Sequence, residues 1–184
     1  MVGLETRNLI TVSGPVGGGK STTSIALVSQ LRTAGYTAAV VDLDDVYCMV
    51  RQGLGWAESD SWTAAWRGCG ALAVAFFDTG TDAVVIDGEF FDENMVSELL
   101  TPVPVEIRVT SFALLVSFPE TLRRVQGDES RRGRPSSNPD LLKELHKQYT
   151  RALPFLRENN VCLEADRKSA DQLVEAMMQN LTGD

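Results

Sequence analysis

Gly14-Pro15-Val16-Gly17-Gly18-Gly19-Lys20-Ser21 fits the pattern G-x-x-x-x-G-K-[ST] without a departure. The apolar run Leu9 to Val12 before it predicts a β-strand. After it, Ser21 to Leu31 carries Ile25, Val28 and Leu31 at helical spacing up to Gly35. In a strand, loop, helix context, successive backbone N–H groups and the positive end of the helix dipole converge on phosphate oxygens. Gly14, Gly17, Gly18 and Gly19 let the backbone come close to such a group. Lys20 is placed to reach the β and γ phosphates of a nucleotide, the Ser21 hydroxyl to ligate Mg²⁺, and Thr22 to complete the binding set. A glycine-rich turn without function is the alternative, and the flanking elements argue against it. Lys20 is also the only lysine before Lys143.

Outward from the loop, helical and extended patterns alternate. Ala38 to Val41 predicts a second strand, ending in Asp42, Asp44 and Asp45 with Tyr47 close behind. Asp60 to Phe77 places Trp62, Trp66, Cys69, Ala73 and Phe76 on one helical stripe, weakened by Gly68 and Gly70. Ala83 to Ile86 reads as a buried strand ending in Asp87, and Asp92 as the cap of a helix to Leu100. Pro102 to Phe118 is mostly extended, as one strand or a hairpin. Ser117 to Glu120 has the form of a capping box for a helix with Leu122 and Val125. Asn138 and Pro139 open a helix with stripe Leu142, Leu145, Tyr149 and Ala152, which Pro154 is expected to interrupt. A last strand at Val161 to Leu163 and a capping box at Ser169 to Gln172 finish the chain. This alternation predicts an α/β fold of three layers, a parallel sheet covered on both faces, within one domain over 1–184. Ligands of such sheets bind at the C-terminal edge of the strands, where the loop, Asp42 to Asp45 and Asp87 all fall.

Two carboxylate groups and one arginine cluster complete the candidate chemistry. Asp42 and Asp44 project to the same side if the strand conformation persists, so Asp42 is assigned to the metal and Asp44 to accepting a substrate hydroxyl proton. Asp87 ends its strand as an aspartate holding Mg²⁺ through water would, and Gly88 stands where hydrolytic motors place a catalytic glutamate. Arg131, Arg132 and Arg134 sit among Gly, Ser and Pro in a loop over about 127–139, with Arg123 and Arg124 just before it. Guanidinium groups closing over a transferring phosphoryl would neutralise its oxygens, with Arg131 as the catalytic one. Asp45 and Trp56 are the further candidates for the acceptor side, Trp56 facing a ring-bearing substrate. Trp62 and Trp66 are expected in the core, and His146 on the surface without a catalytic role.

The totals narrow the partners. The chain has 25 acidic and 17 basic residues, a net charge of -8, which disfavours nucleic acid. Cys48, Cys69 and Cys162 suggest neither a disulfide framework nor a zinc site and suit a reducing cytoplasm. No apolar run approaches the length of a membrane span, and the first residues do not read as a secretion signal.

With these motifs the chain resembles the small P-loop kinases of metabolites and antibiotics, among them chloramphenicol phosphotransferase and the shikimate, gluconate and uridine kinases. Asp42-Leu43-Asp44 is similar to the D-x-D of shikimate kinases and Asp44-Asp45-Val46-Tyr47 to the D-D-F-Y of uridine kinases. The resemblance implies sheet order 2-3-1-4-5, an Arg-rich lid, ATP and Mg²⁺ as cofactors, and Arg124 packing on the adenine. It implies a soluble monomer or homodimer moving the γ-phosphate of ATP onto a hydroxyl of a small molecule. A nucleotide-hydrolysing switch or assembly ATPase, and a nucleoside or nucleotide-sugar kinase, are the alternatives. The shikimate-binding arginine and glycine pattern is not evident after Asp44.

Overall fold

The computed structural model describes residues 7–53, 58–129 and 133–183, with the side chains of 52, 53, 58 and 59 left aside. Five strands form one parallel sheet: β1 (Asn8–Ser13), β2 (Ala38–Asp42), β3 (Ala83–Asp87), β4 (Arg108–Leu115) and β5 (Val161–Glu164), in the order β2-β3-β1-β4-β5. The order is the expected one. β1 and β3 are buried at every residue, because a sheet covered on both faces needs continuous apolar runs rather than alternation.

Helices α1 (Lys20–Thr33) and α7 (Ala170–Thr182) cover one face, where Leu27, Leu31 and Met177 close over Ile10, Val85 and Phe112. On the other lie α2 (Leu43–Gly53), α3 (Glu58–Asp78) and α4 (Glu93–Leu100), with Trp66, Cys69, Phe77 and Leu99 against Leu9, Val84 and Ile86. Helix α5 (Phe118–Gly127) follows β4, and α6 (Pro139–Asn159) lays Tyr149 and Leu156 on Ala113 and Leu115.

The caps form as the side chains dictate. Asp92 accepts the Met95 N–H at 2.9 Å, Asn138 accepts those of Asp140 and Leu141, and Ser169 with Gln172 makes a full capping box. At α5 only half of the expected box exists: Ser117 caps the Glu120 N–H, but Arg123 and Arg124 claim the Glu120 carboxylate.

Several local expectations are corrected. Ile25 is 60% exposed, and Thr23, Ser24, Leu27, Val28 and Leu31 form the buried face of α1. On α3 the stripe ends on Phe77, with Phe76 turned outward. The 102–118 segment holds one strand, β4, and no hairpin. Helix α6 runs through Pro154, since Ala152 and Leu156 on either side are held in the core and one missing N–H near the last turn does not outweigh them. Gly68 and Gly70 do not weaken α3 but fit it: a Cβ on Gly70 would strike the Leu99 carbonyl, and one on Gly68 would stand 3.1 Å from Val46 Cγ1. His146 is not a plain surface residue. It is half-buried between Phe118 and Tyr149, ring centroids 5.4 and 5.2 Å away, and this burial lowers its pKa.

Candidate active site at the C-terminal edge of the sheet

The loop after β1 owes its shape to its glycines. Gly17 and Gly19 have φ of 74° and 91°, conformations that side-chain-bearing residues rarely adopt. A Cβ on Gly17 would also lie 2.6 Å from Val125 Cγ2, so the loop seats directly on α5. Helix α1 begins from left-handed Gly19 with no side-chain cap and no acid in its first turn. Its first N–H groups therefore face outward unpaired by side chains, the arrangement that attracts an anion. Lys20 Nζ donates to the Gly14 carbonyl at 3.0 Å and the Pro15 carbonyl at 3.2 Å.

Strand register brings the carboxylates together. Asp87 pairs with Val12 on one side and with Asp42 on the other, so both aspartates leave the same edge next to the loop. Asp87 is 2% exposed, and its Oδ1 has no hydrogen-bond partner among the described residues. Burial pushes its pKa up to about 6, with the nearby Ser21 hydroxyl opposing the shift and the neighbouring charge of Asp42 raising it further. The Ser21 hydroxyl donates to Asp42 Oδ2 at 3.3 Å.

The strand conformation does not persist to Asp44, which corrects the argument that set Asp42 and Asp44 on one side by alternation. β2 ends at Asp42, whose Oδ1 accepts the Asp44 N–H at 2.8 Å and so caps α2. Asp44 and Asp45 stand exposed in the first turn of that helix, where acids suit the dipole. A residue that the motifs missed sits between loop and helix: Glu89 Oε1 lies 3.8 Å from Lys20 Nζ. Burial raises the Glu89 pKa, Lys20 opposes this, and the charge of Asp44 adds to it, which puts Asp44 in the same field. Its place two residues past the β3 aspartate was the available signal.

Arg124 reaches the loop from α5. Its guanidinium donates to the Gly18 carbonyl at 2.7 Å, the Ala165 carbonyl at 2.5 Å and Glu120 Oε1 at 2.8 Å. It lines a cleft of about 260 Å³ with Gly17, Gly19, Thr22, Asp128 and Lys168, the last two also absent from the expected set. Arg134 is exposed ahead of a short 3-10 turn, Pro135–Ser137. Arg131, Arg132 and Trp56 lie outside the described residues. One helical turn past Asp44, Tyr47 is stacked on Trp62, centroids 3.8 Å apart and planes 12° apart, with Trp66 next at 6.1 Å.

The chemistry of the donor set fits Mg²⁺ with a nucleotide. No group of three or more His, Cys, Asp or Glu suited to hold a metal by itself stands among the described residues. Mg²⁺ keeps several waters and takes few protein ligands, so one hydroxyl, Ser21, with Asp42 and Asp87 acting through water is an adequate set. The unpartnered Oδ1 of buried Asp87 is an acceptor awaiting such a donor.

A family model described as adenylylsulphate kinase matches residues 7–90, from β1 to just past β3. A comparison with curated protein sequences returned no match. Among solved structures, a gluconokinase from Sinorhizobium meliloti 1021 is similar at TM-score 0.65 and 17% identity, over 96% of this chain and 92% of that one. A shikimate kinase from Acinetobacter baumannii, in complex with shikimate, gives 0.62 and 19% over 97% and 94%. The tunicamycin resistance protein of Deinococcus radiodurans gives 0.62 and 15% over 95% of each chain. At these identities the likeness is one of fold, and the fold is that of the P-loop kinases. No helix among the described residues is long and apolar enough to cross a membrane.

Proposed function

We propose that this chain is an ATP-dependent phosphotransferase that moves the γ-phosphate onto a hydroxyl of a small molecule. One observation carries the reading: an uncapped, glycine-built helix start with its lysine faces a cluster of carboxylates from β2 and β3 at one sheet edge.

The loop amides from Gly14 to Ser21 and Thr22 take the phosphates, and Lys20 exchanges its loop carbonyls for the β and γ oxygens. Arg124 makes its hydrogen bonds in the guanidinium plane, which suits its faces to stacking on the adenine in the adjoining cleft. Ser21, Asp42 and Asp87 hold Mg²⁺, which when bound neutralises phosphate charge. Asp44 orients the acceptor hydroxyl and accepts its proton. An unactivated carboxylate is adequate, because phosphoryl transfer has a loose transition state and depends mostly on positioning and charge. Asp45 flanks the acceptor. Arg131, Arg132 and Arg134, as a lid over 127–139, complete charge neutralisation on closure, with water excluded.

The test is ADP release from Mg·ATP, alone and with panels of hydroxylated metabolites, nucleosides and antibiotics. Strong stimulation by one small molecule supports transfer, and Asp44→Asn should lose that turnover while still binding Mg·ATP. Stimulation only by a protein partner would replace the proposal with a nucleotide switch.

A further inference from the structure

Carboxylates outnumber cations on the acceptor side of the edge, where Lys20 is in contact with one of them. Residues 43–107, the stretch of sequence between β2 and β4, hold two cations, Arg51 and Arg67, against many Asp and Glu. Arg67 is engaged across to α4, its Nε 2.5 Å from Glu98 Oε2. Arg51 lies in the last turn of α2, about 10 Å along the helix from Asp44. Glu89 stands beside Lys20, Asp44 lies in the field of Glu89, and Asp45 follows Asp44 in the first turn of α2, with Asp42 and Asp87 ending the neighbouring strands. A carboxylate, sulfate or phosphate on the acceptor would thus meet like charge, and the nucleotide phosphates would add to it.

A second feature points to the shape of the ligand. Tyr47 follows Asp44 by one helical turn and shares its face of α2. It stacks on Trp62, and Trp66 behind them is 9% exposed with an indole N–H that has no acceptor among the described residues. Aromatic faces beside carboxylates bind the flat or C–H-lined face of a ring, and they hold cations as well.

Resting on the kinase reading, we infer that the acceptor is a hydroxylated ring without any anionic group, and that the site ranks such rings by increasing positive charge. Asp44, Asp45 and Glu89 set this selectivity through their field, and the Tyr47 and Trp62 rings provide the platform. It separates this chain from any relative of the same fold whose acceptor is an acid.

A matched series on one pyranose scaffold tests it: glucosamine, glucose and glucuronate, titrated into the full chain saturated with Mg²⁺ and a non-hydrolysable ATP analogue. Binding is read by calorimetry and by Trp fluorescence at a pH where the amine is protonated. The expected order is glucosamine over glucose by several-fold, and glucose over glucuronate by about tenfold or more, the scale of one like-charge contact at a partly buried site. Asp45→Asn should shrink the spread, and Asp45→Lys should shrink it further in favour of glucuronate. Equal affinities, tighter glucuronate, or no binding of any member with the analogue bound would overturn the inference and leave the kinase reading standing. Failure of the analogue itself to bind would sink that reading instead.

Discussion

Lys20 Nζ stands 3.8 Å from Glu89 Oε1, a contact between the phosphate loop and the exit of β3, 69 positions apart in the chain. The same ammonium also donates to two carbonyls of its own loop, so protein oxygens surround it. Phosphate binding has to displace it from at least some of them.

On the proposed function, Glu89 competes with the nucleotide for Lys20. Glu89→Gln should tighten Mg·ATP binding by about fivefold, the value of an ion pair worth ~1 kcal/mol. Calorimetric titration of the variant measures it. Weaker binding in Glu89→Gln would mean that the carboxylate positions the lysine for the nucleotide instead of holding it back.

Asp42 serves two partners at once, with Oδ1 on the Asp44 N–H and Oδ2 on the Ser21 hydroxyl, and substitutions should separate the roles. Asp42→Ala should cost about 1 kcal/mol of stability through loss of the α2 cap. Asp42→Asn keeps an oxygen for the cap and should retain most of that stability. Both should raise the Mg²⁺ concentration needed for half-maximal ADP release. Urea denaturation and a Mg²⁺ titration, run side by side, read the two effects.

Gly70→Ala should destabilise the chain by about 1–3 kcal/mol, although alanine is the better helix former, because the methyl would meet the Leu99 carbonyl and Pro102 Cγ. Thermal unfolding checks it, with the exposed α3 residue Ala71 changed to Ser as a control expected to stay within about 0.5 kcal/mol. A neutral or stabilising Gly70→Ala would show that α3 and α4 can separate without cost.

The hydrogen bonds of Arg123, with those of Arg124 and the charge of both, hold Glu120 down to about 2. A carboxyl lowered in the folded state adds stability above its unfolded value of roughly 4.3, and that contribution disappears as pH falls through about 2. Glu120→Gln should lie below the wild type in denaturation midpoint at pH 6, and the gap should close towards pH 2. The same variant should loosen Arg124 and weaken nucleotide binding at neutral pH. A gap that is constant with pH would assign the effect to packing.

The parts of this site that could be read in advance are those whose cause is local. The glycines around Lys20 announce a positive-φ loop because few other residues fit one, and the apolar runs announce buried strands because a covered parallel sheet needs them. Asp42 and Asp87 could be placed at the sheet edge because both end such runs. What escaped depends on contacts across the fold. The turn from strand to helix after Asp42 moved Asp44 off the alternation that had been argued for it. Gly70 looked like a weakness until Leu99 was placed against it, and Pro154 looked like a break until the core held both its flanks. Glu89 was passed over as a motif position, since only the folded sheet edge brings it to Lys20.

Helix α1 starts on Gly19 with no side chain to close its first turn. That turn is then the part of the core helix most prone to fray, and on the proposed function a bound triphosphate would complete it. Ligand should accordingly slow amide hydrogen exchange and proteolytic cutting near 14–24 well before it alters the distant end of the helix. At a hundredfold excess over its dissociation constant it should add about 2.7 kcal/mol to the folded state. On that reading, part of what keeps this molecule intact would be supplied from outside, at the same place where its chemistry begins.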